Sequence, residues 1–248
     1  MKLVKSQKWD ALCLHAAQAT DPRSPEFDWL GALEGNTKNV EKVFKEFKEA
    51  GGKNIIVTGS LYEADESSGK LPLEAFNRYG LSKTLTWHVF RYFAKEFDLN
   101  IGKIIFPIVF GIYEDPKFVS YLVRTWFAGE TPTVRTPKYV RDNINVTLLA
   151  KAYYDYLEKF IKTEMPLKFY PSQYTGPQGN FARIVARELG PRLKIETPLE
   201  FNDQTEFPET KIKINTDMLD YKKLDWDEEK AWHDLTEYFL KIYYPKKR

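Results

Sequence analysis

The sequence predicts an α/β protein: a parallel sheet with helices on both faces, followed by a small α+β lobe. Three observations carry this. Residues 55–57 and 101–110 are continuous apolar runs, as expected of strands buried on both sides in a parallel sheet. Segments with apolar residues at helical spacing lie between them, and a strand–helix–strand alternation implies parallel pairing through right-handed crossovers. Beyond Gly111 the pattern changes to short strand-like pieces mixed with helices. The chain therefore divides into a first domain over residues 1–130 and a C-terminal lobe over 131–248, interleaved with the first.

Residues 9–17 predict a short buried strand whose small terminal residues let a ligand approach the backbone. Cys13, among Ala11, Leu12 and Leu14, reads as a buried, inert thiol. His15 is either a histidine satisfied at a strand end or part of a ligand wall. Residues 18–28, with Pro22 and Pro25, are a loop. Val40, Val43, Phe44 and Phe47 form the apolar stripe of a helix that Gly51-Gly52 stops. A strand at 54–58 follows, leading into Gly59-Ser60. Residues 62–78, with Glu63, Asp65, Glu66, Gly69 and Pro72, predict a solvated loop.

A helix runs from Tyr79 to Phe97, with Tyr79, Lys83 and Trp87 along one face and Leu85, Val89, Phe90 and Phe93 toward the core. Residues 101–110 read as one strand, with Pro107 marking its C-terminal end because proline cannot donate to a ladder. Helices are expected over 117–128, 145–161, 179–190 (ended by Gly190-Pro191) and from Asp227 to Tyr243. Short strands are expected at 133–135 and 168–170, a loop-rich stretch at 196–217, and a solvated basic tail, Lys246-Lys247-Arg248.

With 37 basic and 35 acidic residues the net charge is +2, which removes the electrostatic case for nucleic acid. One cysteine excludes an intrachain disulfide and points to a reducing cytoplasm. No run approaches the ~18 apolar residues of a membrane span. The first 19 residues do not read as a signal peptide, since Asp10 and His15 bound too short an apolar run. No metal site is expected.

Tyr-x-x-x-Lys occurs three times, at Tyr79/Lys83, Tyr113/Lys117 and Tyr243/Lys247. The second spans Pro116 and the third Pro245, so only the first has a helix to set its geometry. Moving a hydride to or from a carbinol needs a group that exchanges the hydroxyl proton. A phenol, with a free pKa of about 10, does this poorly near neutrality. An ammonium one helical turn away would favour the phenolate. Ser60, at the end of the preceding strand, could hydrogen-bond the same substrate oxygen.

The order of the His15-Ala16-Ala17 strand end, Asn36, Thr58-Gly59-Ser60, Tyr79-x-x-x-Lys83 and Phe106-Pro107 resembles the extended short-chain dehydrogenase/reductases. Among these it is most similar to the NAD-dependent sugar-nucleotide epimerases and dehydratases. Val140-Arg141-Asp142-Asn143-Ile144-Asn145-Val146 resembles that family's substrate-lobe motif, and residues 169–190 its later strand–Gly–helix segment. The resemblance implies a Rossmann-like domain binding NAD or NADP and a lobe binding a nucleotide-linked sugar. Tyr79 would be the acid/base, Ser60 would orient the substrate, and Lys83 would also hold the nicotinamide ribose. His15, Ala16, Ala17, Thr58 and Pro107 would line the cofactor, and Asn36 would brace the strand ends. Arg141 would reach a diphosphate, where a guanidinium suits phosphate oxygens, or else form an ordinary ion pair. Phe110 is grouped with it at the substrate.

The sequence departs from that family's pattern. It contains no Gly-x-x-Gly-x-x-Gly turn to hold a pyrophosphate, and is read as N-terminally truncated relative to the family. Glycine stands at 59 where serine is common, and Asn145 where histidine is usual. Two function classes follow: an epimerase/dehydratase, or a non-catalytic binding or interaction module. In either, an exposed sheet edge would favour a homodimer or another covering partner.

Overall fold

The computed structural model describes residues 2–66, 73–114, 117–163 and 168–244. Gly69, Pro72, Pro116, Pro245 and the basic tail lie outside the described residues. The elements from the N-terminus are β1 (Ala11–Leu14), α1 (Trp29–Thr37), α2 (Val40–Glu49), β2 (Asn54–Ser60), α3 (Arg78–Glu96) and β3 (Asn100–Phe106). Then follow β4 (Ile108–Phe110), α4 (Phe118–Phe127), β5 (Thr133–Val134), β6 (Val140–Asn145), α5 (Val146–Thr163) and β7 (Lys168–Phe169). The chain ends with β8 (Pro171–Ser172), β9 (Tyr174–Pro177), α6 (Gln178–Leu193), β10 (Glu200–Phe201), β11 (Ile212–Lys213), β12 (Asp217–Met218) and α7 (Glu228–Tyr243).

Two compact units divide these elements. The first comprises the chain up to Phe106, Tyr153–Pro171 and Asn215–Asp217, and the second comprises Pro107–Ala152, Ser172–Ile214 and the chain from Met218 onward. Residues 107–130, expected with the first domain, belong to the second unit.

The first unit is built on a parallel sheet of order β1-β2-β3-β7. The strand period of two sorts its side chains onto two faces. Ile55 and Val57 pack with Val40, Phe44 and Phe47 of α2 and Trp87, Phe90 and Ala94 of α3. Ile56 and Ile104 pack on the other face against Tyr156 and Phe160 of α5. Each wholly buried isoleucine contributes about 1.5–3 kcal/mol. β1 stands at the end of the sheet. There Cys13 is exposed, not buried as expected: a strand covered on one side only does not enclose its side chains.

Local backbone chemistry shapes two further segments. The expected helix before Gly51 is α2, and a separate helix, α1, precedes it, with Asn39 between them in the left-handed region at φ 64°, a conformation asparagine tolerates. The apolar run 101–110 is not one strand. It breaks at Pro107 into β3, in the sheet of the first unit, and β4, which pairs with β6 in the second. A proline without an N–H cannot continue a central ladder.

In the second unit β4, β6 and β11 form a parallel ladder, with β9 antiparallel to β6, and β5 pairs with β10. Its core is aromatic, with Phe110, Trp126, Phe181, Trp232 and Phe239 all buried. α6 continues past Gly190-Pro191 to Leu193 and closes at Lys194 in the left-handed region at φ 57°. Pro191 sits in the last turn, so little helix remains for it to disrupt. Among the described residues no helix is long and apolar enough to cross a membrane, and no group of three or more His, Cys, Asp or Glu could hold a metal ion.

Candidate active site

The site in the first unit starts where β2 ends. Ser60 closes the strand, and Tyr62 donates its N–H to the Ser60 hydroxyl at 3.2 Å. α3 is capped by Asn77, whose side chain accepts the Gly80 N–H at 2.9 Å. Gly80 is where α3 meets the turn after β2. A Cβ there would lie 1.9 Å from the Tyr62 carbonyl oxygen, so only glycine permits the approach. That approach brings Tyr79 toward Ser60, whose side chain is near enough to pull the phenol's pKa down. Phe27 and Tyr62 set their rings edge-on against Tyr79, with centroids at 5.7 and 6.4 Å.

Lys83, one turn along α3 and 6% exposed, donates from Nζ to the Thr58 carbonyl at 2.7 Å. Burial pushes its pKa down; Lys103 adds to this, and Glu63 opposes it. The Tyr79 phenol is pushed up to about 12, first by burial and then by the charge of Glu63 and by Tyr62, with Ser60 pulling the other way. The expected lowering of the phenol by Lys83 is not found. Desolvation dominates, and the ammonium is committed to a carbonyl.

The other predicted residues of this unit gather at the same strand ends. β1 stops at Leu14, leaving His15, Ala16 and Ala17 in the segment just beyond it. His15 Nδ1 is 2.9 Å from Thr58 Oγ1, and its ring lies 5.6 Å from that of Phe106. Asn36 accepts the Gln18 N–H at 2.9 Å and donates to Thr86 Oγ1 at 3.3 Å, tying the segment after Ala17 to α3.

Pro107, Phe110 and Arg141 belong to the second unit. Pro107 is buried between β3 and β4. Phe110 is 2% exposed, its ring packed among Tyr174, Phe181 and Trp232, so the side chain serves the core. Arg141 stacks on Tyr139 at 4.4 Å and donates to Glu209 at 3.1 Å and to the carbonyls of Val140, Thr210 and Lys211. This is the ion-pair arrangement, with Glu209 as the carboxylate.

Sequence reasoning missed one charged cluster. Glu63 and Glu66, expected in a solvated loop, are each 1% exposed, as is Lys103. Lys103 Nζ donates to Glu63 Oε2 at 2.5 Å and to Glu66 Oε1 at 2.7 Å. Glu66 also accepts from Lys168 and from the Tyr170 hydroxyl, each at 2.9 Å. The legible signal was Lys103 itself. A lysine inside a run read as buried on both faces requires a buried carboxylate, and the acidic loop after β2 is the nearest source.

Comparison with known proteins places the chain. Its fold is shared with a UDP-glucose 4-epimerase of Thermotoga maritima solved with UDP-glucose, at TM-score 0.72 and 17% identity over 97% of this chain and 80% of that one. It is also shared with a UDP-N-acetylglucosamine 4-epimerase of Methanobrevibacter ruminantium M1 in complex with UDP-N-acetylmuramic acid, at 0.70 and 19% over 98% and 80%. A UDP-glucuronic acid 4-epimerase of Bacillus cereus in complex with UDP-glucuronic acid and NAD gives 0.69 and 14% over 97% and 78%. A sequence search among curated proteins matched none. The profile of the NAD dependent epimerase/dehydratase family matches residues 1–165, and the chain belongs to that family.

Whether these residues suit a nicotinamide dinucleotide depends on the donor set. The Lys83 ammonium, the Tyr79 phenol and the small residues Ala16 and Ala17, together at the carboxyl ends of parallel strands, fit the nicotinamide–ribose half. For the pyrophosphate the 248 residues contain no Gly-x-x-Gly-x-x-Gly turn.

Proposed function

We propose that this chain is a nucleotide-sugar epimerase or dehydratase that uses NAD or NADP, with Tyr79 as its acid/base. The observation that carries the reading is Tyr79 at the start of α3 beside Ser60 at the end of β2, with Lys83 one turn away on the same helix. The UDP-sugars with which the fold relatives were solved support a nucleotide-linked sugar as the ligand class.

The nicotinamide, when bound, supplies a hydride acceptor and donor. The protein's own residues handle the proton and the position. Ser60 orients the substrate hydroxyl toward the Tyr79 oxygen, and Tyr79 takes or returns its proton. Lys83 is the cation beside that exchange: turned from the Thr58 carbonyl toward the ribose and the phenol, it favours the phenolate. His15, Ala16, Ala17 and Thr58 line the nicotinamide side. Pro107 keeps the cofactor-lining role that the family resemblance implies. Arg141 contacts the diphosphate only by exchanging its bond to Glu209 for phosphate oxygens.

Tyr79→Phe tests the reading, with UDP-glucose and NAD as probes and the sugar products followed by NMR. Turnover should fall by roughly 10²–10⁴, the usual value of acid–base help, with the melting temperature nearly unchanged. Retained turnover would remove Tyr79 from the mechanism. Absence of NAD and NADP binding at millimolar concentration would favour the non-catalytic binding module.

A further inference from the structure

We infer that Glu63, held by the buried Lys103, is a positioning residue of this site: its carboxylate fixes the Ser60 main chain and presents a negative charge to Tyr79 and Lys83. The inference rests on the reading of Ser60, Tyr79 and Lys83 as the catalytic group.

The two carboxylate oxygens have separate duties. Oε1 accepts the Ser60 N–H at 2.8 Å, and Oε2 accepts Lys103 Nζ at 2.5 Å. The Glu63 N–H donates back to the Ser60 carbonyl at 3.1 Å, closing a turn around the end of β2. Ser60 thus has its N–H, carbonyl and hydroxyl all engaged within the segment 60–63. A strand end tied in this way holds its hydroxyl in one place.

Stability alone does not account for the arrangement. Each buried ion costs several kcal/mol in lost hydration, and an apolar residue at 103 would pack a parallel strand without that cost. Room is also made for it. A Cβ at Gly59 would lie 2.5 Å from Lys103 Cε and 3.2 Å from Glu63 Oε1, so the glycine next to Ser60 is what lets the ion pair pass. This explains why residue 59 carries no side chain.

The neighbouring charges single out Glu63. Glu66 has Lys168 and the Tyr170 hydroxyl as well as Lys103, whereas the Ser60 N–H goes to Glu63. Glu63 faces Lys103 from β3, Tyr79 and Lys83 from α3, and Tyr62 beside it. Its charge opposes the lowering of Lys83 and adds to the burial that pushes the Tyr79 phenol up.

Glu63→Gln keeps the side-chain volume and an oxygen for the Ser60 N–H but removes the charge. Glu66→Gln is the control, with equal burial and the same lysine partner. The first readout uses the chain without cofactor or substrate: the Lys83 amine is titrated by Cε–Nζ NMR, assigned with Lys83→Arg. Glu63→Gln should lower the Lys83 midpoint by roughly one pH unit, and Glu66→Gln should leave it in place. The second readout is turnover of UDP-glucose with NAD. Glu63→Gln should lower kcat about tenfold with KM little changed, a loss at the low end of acid–base effects.

An unshifted Lys83 midpoint in Glu63→Gln, or an equal shift in Glu66→Gln, would overturn the inference. If Glu63→Gln does not fold, Glu63→Gln with Lys103→Met removes both charges of the pair and leaves Glu66 with Lys168. In that variant kcat should stay low, and recovery of kcat together with stability would show a purely structural role. The titration needs no turnover. A wild-type chain inactive on these probes would therefore count against the proposed function, while the titration still decides the assignment of Glu63.

Discussion

Lys103 and Tyr79 are both displaced from water, with opposite consequences for charge. Lys103 stays paired, so removing it leaves a carboxylate behind. Lys103→Met strips Glu63 of its counter-ion, while Glu66 keeps Lys168. The expected loss is about 3–5 kcal/mol, read from the midpoint of urea unfolding. Tyr79 stays neutral instead. Its folded pKa of about 12 lies above the ordinary 10.0, so between those values the folded protein holds a proton that the unfolded chain has released. Its contribution to stability is complete below pH 10 and is lost as pH rises through 12. Tyr79→Phe should therefore unfold less steeply than the wild type between pH 10 and 12, by on the order of 2 kcal/mol. Identical alkaline profiles would show that this phenol is not held neutral by the fold.

At the scale of elements, α3 carries the site, and its position depends on one glycine. The obstacle at Gly80 is the Tyr62 backbone carbonyl, which cannot rotate away as a flexible side chain could. Gly80→Ala must therefore shift the first turn of α3 and move Tyr79 from Ser60. A destabilisation of about 1–3 kcal/mol is expected, visible as a lower melting temperature. Turnover should fall further than that destabilisation accounts for; full activity would mean that the geometry at this turn does not matter. The helix and its Tyr79–Lys83 face were legible in the sequence, because an i,i+4 relation and an apolar stripe are local. The break of 101–110 into β3 and β4 was legible only in part. Pro107 announces an ending, but which ladder takes up residues 108–110 depends on β6, more than thirty residues away.

For the whole molecule, the proposed function assigns residues to the nicotinamide half of a dinucleotide, while the 248 residues contain no glycine-rich turn for its pyrophosphate. Calorimetric titration of this chain should give nicotinamide mononucleotide and NAD affinities within about tenfold of each other, since each factor of ten needs ~1.4 kcal/mol of further contact. Lys83→Ala should weaken both. NAD binding a hundredfold tighter would show that this chain holds the adenosine half by other residues.

Sequence by itself determined what local rules carry. The alternation of strands and helices follows from hydrophobic period and turn chemistry, and the order Ser60, Tyr79, Lys83 carries the resemblance to the family. Tertiary structure alone decided which charges are buried and whom they meet. Glu63 and Lys103 lie 40 residues apart, and Arg141 and Glu209 lie 68 apart. Cys13 is open because its strand ends the sheet. Burial depends on what the rest of the chain places opposite a residue. A glutamate in a polar loop and a lysine in an apolar strand reveal their pairing only when the fold removes water from both.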